Sequence, residues 1–170
     1  MRIRPETEAD KATIRRINEQ AFGYSITADL VAVIRTTDRF VPELSLLAES
    51  KGLALGHVLL SYVDIEPGAH RVLQVGPLGV VPSHQRSGIG SALMLEAIRL
   101  AEGRDEPLLL LEGNPAYSAR FGFSRADAAG IEPPPAALGP QYFMVRPLSS
   151  YDPALRGRAV YPPETFGTLP

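Results

Sequence analysis

A glycine-bearing turn between an apolar strand and an amphipathic helix constrains this chain more than any other feature. The segment reads Val80-Val81-Pro82-Ser83-His84-Gln85-Arg86-Ser87-Gly88-Ile89-Gly90-Ser91. After it, Ile89, Leu93, Ala97, Leu100 and Ala101 recur at helical spacing while Glu96, Arg99 and Glu102 fall on the opposite side, which predicts a helix packed by one face on a sheet. Gly88 and Gly90 present no Cβ to hold a ligand off the backbone, and the N–H groups that open a helix lack partners within it. Such a turn can cradle an anion such as phosphate, with roughly half a positive charge added by the helix dipole. It equally suits an ordinary strand-to-helix turn in which glycine relieves crowding. Two phosphate loops are excluded, because no Gly-Lys-Ser/Thr follows and no third glycine completes the dinucleotide fingerprint.

Around this turn the chain alternates between the two periods. Arg2 to Pro5 reads as a strand, and Thr7 as the N-cap of a helix through Phe22 with Ile14 and Ile17 inward. Ser25 or Thr27 caps a second helix carrying Leu30, Val31, Val33 and Ile34. Leu44 to Glu49, Leu53 to Ile65 and Arg71 to Val81 are β-rich runs separated by the turn signals Ser50-Lys51-Gly52 and Pro67-Gly68, which predicts an antiparallel meander. Beyond the helix come a strand at Leu108 to Leu111, a short helix, and a strand near Tyr142 to Arg146. Pro133, Pro134, Pro135 and Pro140 mark residues 130–140 as a loop. The order predicts an α+β fold with a mixed, mostly antiparallel sheet flanked by helices.

Gln85-x-x-Gly88-x-Gly90 after Val80-x-Pro82 resembles the acetyl-CoA pyrophosphate loop of the GNAT N-acetyltransferase superfamily. Downstream, Gly113-Asn114-Pro115-Ala116-Tyr117-Ser118-Ala119-Arg120-Phe121-Gly122-Phe123 resembles that superfamily's second signature, a short helix closing in Gly-Phe. Ile3-Arg4-Pro5 with Glu8, Ala9 and Asp10, and the runs Phe40 to Glu49, Gly56 to Leu59 and Phe143 to Val145, are similar to its opening elements, middle strands and late strand. Gly157-Arg158-Ala159-Val160-Tyr161 with Phe166 resembles a C-terminal extension of an uncharacterised bacterial branch. The resemblance implies one GNAT domain over residues 1–148, an extension over 149–170 packed on it, and central strands that splay apart. It implies transfer of an acetyl group from acetyl-CoA to a primary amine of a small molecule or peptide, or else a catalytically weak acyl-CoA sensor on the same fold.

Transfer needs a held donor, a polarised carbonyl and management of protons, and the donor itself brings the reactive carbon. Gly76-Pro77-Leu78-Gly79-Val80 has the composition of a bulged strand, and the resemblance makes Leu78, Gly79 and Val80 contacts for the pantetheine arm. Gln85, Arg86, Ser87, Gly88, Ile89, Gly90 and Ser91 then hold the pyrophosphate. Arg86 either adds charge there or is plain surface, and Asn114 either meets the ligand or serves only as an N-cap. Ser118 stands where many relatives carry a proton-donating tyrosine. A serine hydroxyl is a far weaker acid than a tyrosine, whose pKa is about 10, so the donor is Ser118 through a water, its neighbour Tyr117, or solvent. For the base, Gln74 cannot usefully accept a proton, and Asp64, Glu66, His70 and Glu112 read mainly as solvated strand ends.

Composition narrows the partners. At 170 residues and 45% hydrophobic the chain suffices for one domain with a sizeable core. A net charge of −2, with scattered arginines and only Lys11 and Lys51 as lysines, argues against nucleic acid. The absence of cysteine excludes disulfides and a thiol nucleophile, and His57, His70 and His84 are too dispersed for a metal site. No apolar run approaches the ~20 residues of a membrane span. The expectation is a cytoplasmic protein, with pairing of a late strand across a homodimer left open.

Overall fold

In the computed structural model the described residues are 1–163 and 165; Phe166 lies outside them. The chain forms two compact units, Met1–Ser61 with Gly76–Ile98, and Tyr62–Val75 with the chain from Arg99 onward. Two long strands, β3 (Leu53–Glu66) and β4 (His70–Val80), contribute to both. The architecture is mixed α+β, with mostly antiparallel strand pairing and flanking helices.

In the first unit β1 (Arg2–Pro5) pairs antiparallel with β2 (Phe40–Ser50), Arg2 opposite Glu49 and Pro5 opposite Leu46. β2 pairs antiparallel with β3, from Ser45 opposite Leu59 to Ser50 opposite Leu53, with irregularities before Ser45 and after Ala48. β2 begins at Phe40, four residues before the apolar run the local pattern marks, because Pro42 and Glu43 interrupt the alternation. Helix α1 (Lys11–Phe22) buries Ile14, Ile17 and Asn18. It is entered through a 3-10 turn at Glu8–Asp10, where the Asp10 carboxylate accepts hydrogen bonds from the Thr7 N–H and hydroxyl, both at 2.7 Å. Gly23, at φ +78°, ends it in the left-handed conformation that glycine adopts without strain. Ser25 occupies the N-cap position of α2 (Ile26–Ile34).

In the second unit β5 (Leu108–Glu112) runs parallel to β4, with Leu73, Gln74 and Val75 opposite Leu109, Leu110 and Leu111. β8 (Phe143–Pro147) pairs antiparallel with β5, and the two-residue β6 (Ser124–Arg125) pairs with β8. β9 (Gly157–Val160) lies antiparallel to β3, Asp64 opposite Val160, and parallel to β7 (Ile131–Glu132). Residues 130–140 are therefore not loop throughout, since Ile131 and Glu132 find a partner strand 26 residues later, a pairing no local pattern announces. Val63, Ile65, Val72, Leu108, Leu110, Phe143 and Val145 form this unit's core. α3 (Ile89–Glu102) begins in the first unit and buries Leu93, Met94 and Ala97. Among the described residues no helix is long and apolar enough to cross a membrane, and no group of three metal-ligating side chains occurs.

Candidate functional site

The strand-to-helix turn of the first unit is an exposed, glycine-dependent loop. β4 ends at Val80, a 3-10 turn covers Pro82–His84, and the Gln85 side-chain amide donates to the Val80 carbonyl at 3.1 Å, tying the loop to its strand. The Ser87 hydroxyl donates to the His84 carbonyl. Arg86 at φ +58° and Gly88 at φ +91° both sit at positive φ, so the backbone turns sharply before α3. Among the described residues nothing lies within 4 Å of where a Gly88 Cβ would stand, its chain neighbours aside. Glycine is thus demanded by the backbone angle, and space lies open beside it. The first intrahelical bond runs from Ala92 N–H to Gly88 O at 2.9 Å, so the N–H groups of Ile89, Gly90 and Ser91 precede the regular ladder. Residues 82–88 are all exposed.

The strand leading into this loop owes its glycines to packing as well. A Cβ on Gly79 would lie 3.0 Å from Ala21 Cβ and 3.3 Å from the Phe22 ring, so the bare backbone lets α1 approach β4. Gly76, at φ +147°, precedes a cis peptide bond to Pro77. β4 nonetheless continues as strand through Leu78 and Val80, and its ladder with β5 comprises Leu73 to Val75.

The second signature builds a short helix, α4 (Pro115–Ser118), in the second unit. The Asn114 side chain accepts from Ala116 N–H at 2.9 Å, an N-cap interaction, with Pro115 in the first turn. Ser118 is buried, 1% exposed, and its hydroxyl donates to the Asn114 carbonyl at 3.1 Å. The Tyr117 ring packs 5.2 Å from the Phe121 ring, with the Arg120 guanidinium 4.6 Å above it. The Ser118 hydroxyl is thus committed within its own helix, and the Tyr117 ring is held against the 3-10 turn (Ala119–Phe121) that follows.

Two hydrogen-bonded polar chains were not legible as such. In the first unit the Asn18 amide donates to the Ile14 carbonyl at 3.0 Å and meets His57 Nδ1 at 3.2 Å; His57 Nε2 lies 3.0 Å from Ser45 Oγ, and Ser45 contacts Glu6. The Ile14 carbonyl requires the amide NH2 on that side. His57 Nδ1 is then the acceptor and Nε2 the donor to Ser45, whose hydroxyl donates to the Glu6 carboxylate. Arg35 closes the chain with two hydrogen bonds to Glu6, at 2.7 and 2.9 Å. Burial, aided by the Arg35 charge, lowers the His57 pKa to about 3, so the ring is neutral.

In the second unit Gln74 Nε2 donates to Tyr161 Oη at 3.0 Å, Tyr161 donates to Glu112 at 3.1 Å, and the Leu138 N–H donates to the other Glu112 oxygen at 2.6 Å. Glu112 is therefore more than a solvated strand end. Asp64 lies 3.6 Å from Arg71 and lines an open depression with Glu66, Glu132 and Arg158. The Gly157 to Val160 alternation is the one local hint of the strand that delivers Tyr161; the pairings themselves span 87 and 49 residues.

Residues 11–123 match the model of the acetyltransferase (GNAT) family. Over 165 residues the chain is 29% identical to an uncharacterized N-acetyltransferase, YjhQ, of Escherichia coli strain K12, covering 93% of this chain and 91% of that one. A GNAT family acetyltransferase from Brucella melitensis, solved in complex with acetyl-CoA, superposes with a TM-score of 0.78 at 28% identity, covering 96% of both chains. The GNAT family N-acetyltransferase YhbS from Escherichia coli, solved in complex with CoA, gives a TM-score of 0.86 at 24% identity over 96% of this chain and 90% of its own, a likeness of fold.

Proposed function

The chain belongs to the GNAT acetyltransferase family, and we propose that it is an acetyl-CoA-dependent N-acetyltransferase that transfers the acetyl group directly to a primary amine of a small molecule or peptide. The observation that carries this is the loop at Gln85 to Ser91: exposed through Gly88, bent through positive φ at Arg86 and Gly88, with open space where a Gly88 Cβ would project and early helix N–H groups beside it. This donor set suits a pyrophosphate. The Brucella relative, solved with acetyl-CoA, supports the identity of the ligand.

Acetyl-CoA supplies an acyl carbon already activated as a thioester. The protein's part is to bind and orient. Backbone N–H groups from Arg86 to Ser91 hold the pyrophosphate, Gln85 shapes the loop through its own bonds to the Pro82 and Val80 carbonyls, and Arg86 adds charge from an exposed side chain. Leu78, Gly79 and Val80 offer backbone groups to the pantetheine arm, and Asn114 is a further contact through the part of its amide not used in capping. Ser118 has its hydroxyl committed to the Asn114 carbonyl, so the departing thiolate takes its proton from solvent, with Tyr117 the alternative donor.

The buried, committed Ser118 also favours a second reading, an acyl-CoA-binding sensor of low activity. One assay separates the two: release of free CoA thiol from acetyl-CoA across a panel of primary amines. Amine-dependent release supports the enzyme. Tight CoA binding with no release above the amine-free rate supports the sensor.

A further inference from the structure

The second unit holds a side chain whose bonding is incomplete in a directed way. Tyr161 faces a carboxylate, which has no proton to give, so the Tyr161 hydroxyl must donate to Glu112 and its oxygen is left to accept. Gln74 must then present its NH2 to Tyr161. That fixes Gln74 Oε1 as the amide atom turned away from Tyr161; Oε1 is itself buried, Gln74 being only 6% exposed, and it has no hydrogen-bond partner among the described residues. A buried carbonyl oxygen without a donor is unfavourable and is seldom retained without a use.

The missing partner has to be a donor, and an amine carries two or three. Glu112, half-buried at the end of β5, provides negative charge two hydrogen bonds away. Burial and the Glu112 carboxylate raise the Tyr161 pKa, so the phenol keeps its proton and can pass one along without standing as a base itself. Gln74 also precedes Leu78 by four residues on the same strand.

Building on the acetyltransferase reading, we propose that Gln74, Tyr161 and Glu112 receive the acceptor's amino group: an N–H of the amine donates to Gln74 Oε1, and the proton the amine sheds passes through Tyr161 to Glu112. An ammonium proton moves to Tyr161 Oη as the Tyr161 hydroxyl proton moves to Glu112. Tyr161 ends neutral as it began, Glu112 becomes a carboxylic acid, and the amine keeps the electron pair with which it attacks. Gln74 touches the substrate; Glu112 acts through Tyr161 and is a positioning and proton-accepting residue. The C-terminal segment thereby contributes to chemistry.

The test uses the full chain loaded with CoA, and probes amine binding by saturation-transfer NMR with phenethylamine, spermidine and alanylalanine. The wild-type protein is expected to bind at least one of these amines. Gln74→Leu is expected to weaken that binding about tenfold or more, the loss of one hydrogen bond to a charged group, with CoA affinity unchanged by calorimetry and little change in melting temperature, since the unpaired buried oxygen is removed together with the hydrogen bond to Tyr161. Tyr161→Phe and Glu112→Gln are expected to lower kcat about 10²-fold on the best amine while KM changes little. Equal amine binding by wild type and Gln74→Leu, or no amine binding by a wild-type protein that binds CoA, overturns this proposal alone. A wild-type protein that does not bind CoA overturns the acetyltransferase reading, and this proposal with it.

Discussion

The chain from Glu6 through Ser45 and His57 to Asn18, and the chain from Glu112 through Tyr161 to Gln74, both end on an amide oxygen without a partner among the described residues. They differ in where their other end lies. Asn18, Ser45 and His57 are fully buried, and the Glu6 and Arg35 side chains are 5% and 10% exposed. Asn18 Oδ1 lies 3.4 Å from the position a Gly79 Cβ would take, in the tight packing of α1 on β4. Every group there is locked by the core, and the neutral His57 is a connector. In the second unit the chain runs outward from buried Gln74 to half-buried Glu112, which is held by the backbone of the exposed Leu138. The sealed chain thus specifies packing, while in the second chain the end that reaches the surface is Glu112, the group to which the proposal above delivers the proton.

The largest expected effect breaks the sealed chain. Glu6→Ala leaves Arg35 nearly buried without its carboxylate, and removing one partner of a buried pair destabilises by ~3–5 kcal/mol. Urea unfolding of Glu6→Ala beside Glu112→Gln is expected to show that loss for the first and less than about 1 kcal/mol for the second, whose carboxylate is partly solvated. Comparable losses in both would erase the distinction.

His57 sharpens it through pH. Its folded pKa lies near 3, below the unfolded value of 6.5, so below pH 6.5 the unfolded chain binds a proton that the folded chain refuses. The stabilisation is fully present above pH 6.5 and is lost as pH falls toward 3, at up to ~1.4 kcal/mol per pH unit. Unfolding free energies of His57→Gln measured across that window are expected to lack this component. A variant with the same pH slope as the wild type would show that His57 is not the group that titrates.

The smallest effects belong to the second signature. Ser118→Ala loses one hydrogen bond to a backbone carbonyl, about 1 kcal/mol of stability, and is expected to keep acetyl-transfer rates within a few-fold. Tyr117→Phe keeps the ring under Arg120 and is expected to change kcat less still. A drop of about 10²-fold in Tyr117→Phe at unchanged CoA affinity would make Tyr117 the general acid.

Legibility followed the range of the interactions. The glycine turn, the amphipathic α3, the Thr7 entry to α1 and the β-rich runs from Leu44 to Val80 were readable, because each is set by residues within a few positions of one another. Asn114 as an N-cap was one of two readings of the Asn-Pro pair, and the 2.9 Å bond from Ala116 N–H shows it. The pairing of Ile131 with Gly157 and the junction of Gln74, Glu112 and Tyr161 were not readable, since each depends on partners tens of residues away. Gly79 was read for its bearing on a ligand, and the structure adds that it makes room for Ala21 and Phe22. His57 carried no signal beyond being too isolated for a metal; its role depends on α1 and β2 closing over it.

Calorimetric titration of acetyl-CoA and of CoA into the wild-type protein and Gly88→Val tests the central claim most directly, that the turn before α3 holds the donor. Valine cannot comfortably adopt φ +91°, and its branched Cβ would project into the open space beside the loop. The account predicts that the wild-type protein binds both ligands with similar affinity, and that Gly88→Val, folded by circular dichroism, loses both by well over tenfold. A folded Gly88→Val that binds both with unchanged affinity would contradict it.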